Sequence, residues 1–294
     1  MRVVIYSDVH AIPQAMSAFE QTLRGLQPDA VWFLGDLVGR GHAPYRVVAT
    51  ARNILNRYSG VVLLGNHDMS ALGRLPDLLL NVNGAQLSDS GFPIEQIKQD
   101  RAHAAEIQER SPELWEWLNT LQYRAMPLPG YLLAHGYFAP DDDMRTVWHY
   151  ATRNGGLRLE QLRQAREGSP VPPRLIALGH YHIAGLWQWQ ENELCEFDIW
   201  AQEWVELHNL TAQPVILNAG TLSLPRREGD HGNYVVLDIA DDLDSVRVGF
   251  RHLRFDWRPL IDVFCDGYLN ADHMRMTIQR NLLPSDVSRG GGLT

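Results

Sequence analysis

Five times the chain runs through a block of apolar residues and then stops on an Asp, Asn or His. The blocks end as R-V-V-I-Y-S-Asp8-V-His10, V-W-F-L-G-Asp36, V-V-L-L-G-Asn66-His67-Asp68, Y-L-L-A-His135-G and L-I-A-L-G-His180-Y-His182. Continuous Val, Ile and Leu runs of this kind predict strands buried on both faces. In an open α/β sheet the ligand crevice lies beyond the carboxyl ends of the strands. The five endings therefore bring two carboxylates, one carboxamide and four imidazoles to one rim, with His67 and Asp68 beside them. Apolar packing gives no reason to gather such groups. A divalent metal does.

Between the first two blocks, residues 13–26 place Ala15, Ala18, Phe19, Leu23 and Leu26 at helical spacing behind a leading proline. Residues 44–58 repeat the pattern with Val47, Val48, Ala51, Ile54, Leu55 and Tyr58. Residues 2–64 thus read as βαβαβ, the unit of a parallel sheet. Residues 71–129 carry no ligand-tipped strand; helices are predicted over 94–109 and 112–118, the second capped by Ser111. This helical insertion reads equally as a lid over the site or as a helix pair on one side of the sheet. From Leu186 onward the pattern is antiparallel, with a hairpin formed by residues 234–239 and 245–255. A helix over 271–283 sits in a C-terminal helical tail, 257–294, and residues 1–294 are expected to form one domain.

The net charge of −9 argues against avid binding to a nucleic-acid polymer or an anionic membrane. It does not oppose a small phosphate ester, because bound cations would dominate the local field. Two cysteines, Cys195 and Cys265, in no metal-like spacing suit a reducing compartment. The first strand starts at Arg2, and no run of about 18 apolar residues occurs, so a cytoplasmic protein is expected.

The motifs D-x-H, G-D, G-N-H-D, H-G and G-H-x-H each follow a predicted strand, in that order. One tetrapeptide such as G-N-H-D arises by chance in on the order of one chain per thousand of this length; the ordered set is far more specific. The series resembles the calcineurin-like metallophosphoesterases, whose motifs run D-x-H, G-D-x-x-x-x-G, G-N-H-[DE], H-G and G-H-x-H. It looks most like the compact bacterial and archaeal phosphodiesterase branch, where N-P-G-S-x-x-x-P-R follows; here that segment is Asn218-Ala219-Gly220-Thr221-L-S-L-Pro225-Arg226.

The resemblance implies a four-layer α-β-β-α sandwich of two mixed sheets with a two-metal site where they meet. It implies that Asp8, His10 and His182 hold one metal, that Asp36 bridges both, and that Asn66, His135 and His180 complete the second. Two di- or trivalent ions from Mn, Fe, Co, Ni and Zn are expected, Mn or Fe first, because imidazole and carboxylate suit them better than Mg or Ca. By the same resemblance His67 is no ligand but lies over the phosphate, donating a hydrogen bond or proton to the leaving oxygen, and Asp68 next to it is the catalytic-site partner that orients neighbouring structure. Arg40, Asn66, His67 and Arg226 are the expected substrate contacts.

Phosphoprotein phosphatases carry G-D-x-V-D-R-G, whose second Asp pairs with the catalytic His. Here the segment is G-D-L-V-Gly39-Arg40-G, so another carboxylate orients His67 or none does. Arg40 keeps the planar fork that fits a phosphate. His42, His103, His149, His208, His231, His252 and His273 follow no ligand pattern and read as surface or satisfied core. The tryptophans at 187, 189, 200 and 204 read as core or interface rather than as a base-stacking surface.

The expected reaction is hydrolysis of a phosphodiester or nucleotide pyrophosphate by a metal-bridged hydroxide. Phosphomonoesterase or protein phosphatase activity ranks second, and a non-catalytic binding module third. The expected partner is a small phosphate ester, nucleotides included; a homo-oligomer is compatible with the sequence.

Overall fold

The computed structural model describes residues 1–74, 94–136, 171–190, 193–224 and 232–263. In chain order the first elements are β1 (Arg2–Tyr6), α1 (Pro13–Leu26), β2 (Ala30–Phe33), α2 (Pro44–Arg57), β3 (Ser59–Val62) and α3 (Asn66–Ala71). Next come α4 (Ile94–Arg110), α5 (Pro112–Thr120), β4 (Arg124–Leu128), β5 (Tyr131–Ala134) and β6 (Leu175–Leu178). The remainder is β7 (Ala184–Gln190), β8 (Glu193–Glu196), β9 (Val205–His208), β10 (Val215–Ala219), β11 (Gly232–Ile239), β12 (Ser245–Leu253) and α6 (Arg258–Val263).

The strands form two six-stranded mixed sheets, ordered β3-β2-β1-β11-β12-β9 and β4-β5-β6-β10-β7-β8. Strands β1 to β3 run parallel, as do β5, β6 and β10. The parallel pairing of β10 with β6 corrects the antiparallel expectation for everything after Leu186. Its V-I-L-N-A run is buried along its whole length, as a central strand with two neighbours requires.

Side-chain alternation divides the strands between two cores. Val3, Ile5, Trp32 and Leu34 face inward and meet Tyr131, Leu133, Leu175, Ala177, Val215 and Leu217 between the sheets. Val4, Tyr6, Val31 and Phe33 face outward onto Phe19, Leu23, Val47, Val48 and Ile54 of the helices. Each large apolar side chain so buried contributes about 1.5–3 kcal/mol, which is why the runs are uninterrupted by polar residues. All six helices contribute to this outer core of the first sheet or pack on helices that do. The matching layer expected over the second sheet lies outside the described residues, as does the predicted helix over 271–283.

Helix α4 packs on α2, α3 and α5. Its buried face changes character along its length: Gln96, Gln99, Asp100 and His103 come first, then Ala104 and Ile107. Among the described residues no helix is long and apolar enough to cross a membrane.

Candidate metal centre

The loop after β1 and the loop after β2 are bonded to each other. Asp8 N donates to Gly35 O at 3.0 Å, Val9 N and His10 N share Asp36 O at 3.0 Å, and Ala11 N reaches Leu37 O at 2.8 Å. Thr221 Oγ1 and Ser223 Oγ donate to the Asp8 carbonyl at 2.9 and 3.1 Å. Asn218 Nδ2 donates to Gly179 O at 2.9 Å and so ties the third loop, after β6, to the same frame. These contacts hold Asp8, His10, Asp36, His180 and His182 in the left-handed backbone region, with φ between 51° and 67°. A non-glycine residue there costs roughly 1–2 kcal/mol, and the loop bonds offset it. Strain concentrated on these residues marks a functional rim.

The side chains converge. Asp8, His10 and His182 present donor atoms within 4.8 Å of one another, as do Asp8, Asp36 and His135, and also His10, Asp36 and His67. Asp36 Oδ1 accepts from His67 N at 2.9 Å, while Oδ2 lies 3.3 Å from His135 Nε2 and 3.7 Å from His10 Nε2. Asn66 Oδ1 lies 3.0 Å from His135 Nε2 and 2.8 Å from His180 Nδ1. Asp8 Oδ2 accepts from His180 N at 2.9 Å; Oδ1 faces His182 Nε2 at 3.1 Å.

The hydrogen bonds behind the rings test whether these groups fit metal. His10, His135 and His182 each turn Nδ1 to a backbone carbonyl, of Val38, Leu34 and Leu224, at 3.3, 2.7 and 2.7 Å. A carbonyl only accepts, so Nδ1 carries the proton and Nε2 offers a lone pair to the cluster. Yet His10 Nε2 and His182 Nε2 stand 2.9 Å apart. Two lone pairs at that distance repel unless a cation or proton faces both. Asp8 Oδ1, buried and without a hydrogen bond among the described residues, points into the same space. Rings braced from behind with their second nitrogen presented forward are the usual form of histidine ligands. The donor set fits a pair of transition-metal ions.

Electrostatics agree with that fit at two of the rings. Burial pushes His10 and His180 down to about 3, so both are neutral. Burial opposes charge on Asp8 too, but the imidazoles of His182 and His135 hold its carboxyl well below the usual range. His135 moves against the cost of its burial, up to about 9, because Asp36 and Asp8 face it.

His67 shares a group with His10 and Asp36, and what stands behind its ring is a carboxylate rather than a backbone carbonyl. Its Nδ1 lies 3.1 Å from Asp100 Oδ1, and both side chains are buried. Despite burial, the ring is shifted upward by the charges of Asp100 and Asp36. Asp68, expected to orient neighbouring structure, accepts with its carboxylate from the backbone N–H groups of Asp36, Val38, Gly65 and Leu37 at 2.8, 3.0, 2.9 and 3.3 Å. It anchors the bridging loop.

The structure therefore brings together Asp8, His10, Asp36, Asn66, His135, His180 and His182, with His67 at their edge. Arg40 is half-buried on the same turn as Gly39 and close enough to influence the charge on His67. Arg226, His149, His231 and His273 lie outside the described residues. Trp187 is core, and Trp200 is exposed and stacked on His252 at 4.2 Å between ring centroids. Sequence reasoning missed Asp100; His103, read as surface or satisfied core, is buried and its Nδ1 accepts from Gly39 N at 3.2 Å. The available signal was the spacing of Gln96, Gln99, Asp100 and His103, at i, i+3, i+4 and i+7 on one helix face.

The sequence model for calcineurin-like phosphoesterases matches residues 1–210, which include every group of the cluster. A search of curated proteins gave no match. Among solved structures, a metallophosphoesterase from Sphaerobacter thermophilus superposes with a TM-score of 0.64 at 19% identity, covering 96% of this chain and 100% of that one. A hypothetical protein from Pyrococcus horikoshii OT3 gives 0.60 at 13% identity, covering 94% and 97%. At such identities the likeness is one of fold.

Proposed function

Because the chain belongs to the calcineurin-like phosphoesterase family, we propose that it is a two-metal phosphohydrolase acting on phosphodiester or nucleotide pyrophosphate bonds. The observation that carries this reading is Asp36 Oδ2, which faces His10 on one side and His135 on the other, each ring braced from behind. Asp8, His10 and His182 would hold one ion and Asn66, His135 and His180 the other, with Asp36 between them. Such a pair supplies positive charge to a phosphoryl oxygen and lowers the pKa of water toward neutrality. No protein base is then needed, and none is assigned.

The side chains have the remaining work. Asn66 and Arg40 orient the phosphate, Arg40 through its planar guanidinium. His67, placed over the phosphate, stabilises the oxygen that leaves by a hydrogen bond or proton. Similarity to the compact phosphodiesterase branch favours diesters and pyrophosphates over monoesters. A hydrolysis screen with Mn²⁺ over cyclic nucleotides, dinucleoside polyphosphates, nitrophenyl esters and oligonucleotides tests the reading. Metal-dependent turnover of a small diester or pyrophosphate is expected. Turnover that survives complete chelation, or preference for oligonucleotides, overturns it.

A further inference from the structure

We propose that Asp100 is the positioning residue for His67, supplying from helix α4 the carboxylate that the Gly39 position cannot carry. The inference rests on the reading above, in which His67 serves the leaving oxygen.

Gly39 has no room for a side chain. A Cβ there would stand 2.5 Å from His67 Nδ1 and 2.6 Å from Cγ, and the residue sits at φ +85°, where L side chains are strained. The His67 ring fills the space that an Asp side chain at this position would need. Its Nδ1 is met from the other side by Asp100 Oδ1 at 3.1 Å. A carboxylate only accepts, so this contact places a proton on Nδ1 and leaves Nε2 as the nitrogen that would serve the leaving oxygen, donating to it when the ring carries its second proton.

Asp100 is itself held. Gln96 Nε2 donates to Asp100 Oδ1 at 3.1 Å and to Gln99 Oε1 at 3.0 Å; Gln99 Nε2 donates to Gly41 O at 3.2 Å. With His103 accepting from Gly39 N, the polar half of the α4 face grips the turn that carries Arg40. Asp100 Oδ2, by contrast, is buried without a hydrogen bond among the described residues. A carboxylate half satisfied in a dry site is a poor stabilising device. Holding the His67 ring in one orientation explains its presence.

The test compares Asp100→Asn, His67→Ala and the double variant, metal-loaded, on a nitrophenyl and an alkyl ester of one diester class. It is joined by ¹⁵N imidazole spectra of the zinc-loaded wild type and Asp100→Asn. An Asn carries no charge to support the doubly protonated ring, and its amide N–H can displace the proton on Nδ1. Hydrolysis of the alkyl ester by Asp100→Asn should fall about 10–100-fold, with the nitrophenyl ester changing less than about threefold. The double variant should be no slower than His67→Ala, and the wild-type spectrum should show a protonated His67 Nδ1 that Asp100→Asn loses. Equal losses on both esters, losses that multiply in the double variant, or an unprotonated Nδ1 in the wild type overturn the proposal. The wild-type spectrum decides alone if Asp100→Asn fails to fold. It also separates the two readings: a wild type that cleaves no ester sinks the hydrolase function, while the spectrum still reports on the pair.

Discussion

Asp36 and His135 face each other at 3.3 Å although they follow strands of different sheets. The two halves of the sandwich meet at this pair, and the carboxylate lies between His10 and His135. Asp36→Asn should therefore lose metal and turnover together, turnover by at least about 100-fold. His67→Ala should keep near-normal metal content while slowing turnover. Metal analysis beside kinetics checks this, and equal metal loss in both variants would refute the division of roles.

Asp68 accepts four backbone N–H groups in the interior. Removing the acceptor strands donors that have no water to turn to. Asp68→Ala should cost at least about 3 kcal/mol of unfolding free energy, read from denaturant titration at constant metal. A loss below about 1 kcal/mol would mean that the loop has other anchors.

Gly39 predicts a sharper effect than a loop glycine suggests. Gly39→Ala drives a methyl group toward His67 Nδ1 and should cost about 1–3 kcal/mol, with metal content unchanged and alkyl-ester hydrolysis reduced. Gly39→Asp restores the phosphatase-like motif on paper, yet it should not rescue Asp100→Asn. Rescue would show that the ring can move aside.

The sequence made the cluster legible because each buried strand is an unbroken apolar run, so its last apolar residue marks where the rim begins. The polar face of α4 was not legible in that way. Gln96, Gln99, Asp100 and His103 have the spacing of a solvent-facing stripe, and only the turn at residues 39–41 makes it an interior one. Thr221 and Ser223 were equally hidden: their task is to hold the Asp8 carbonyl, more than 200 residues away in sequence. The parallel place of β10 depends on β6 in the same long-range manner.

His103 gives a pH prediction. Burial, followed by the neighbouring His67, lowers it to about 4 from an ordinary 6.5. Its folded pKa is depressed, so the unfolded chain takes up the proton first. The associated stability is complete above about pH 6.5 and is lost as pH falls toward 4. The loss is on the order of 3 kcal/mol. His103→Gln should flatten this slope in denaturant titrations of chelated protein across the window. An unchanged slope would place the acid sensitivity elsewhere.

Strand β1 lies between β2 and β11, and its register with β11 runs from Arg2 against Asp238 to Ile5 against Val235. During synthesis the first strand therefore waits for a neighbour more than 220 residues behind it. At ~5–20 residues per second the interval is roughly ten to fifty seconds. Throughout it, V-V-I-Y presents an unpaired edge, the kind of surface that recruits other strands. The ribosome-bound chain can hold a partial sheet but not the Asp8 loop, whose carbonyl is bound by Thr221 and Ser223. The Asp8 loop is thus completed late, once Thr221 and Ser223 have been synthesised and folded onto it.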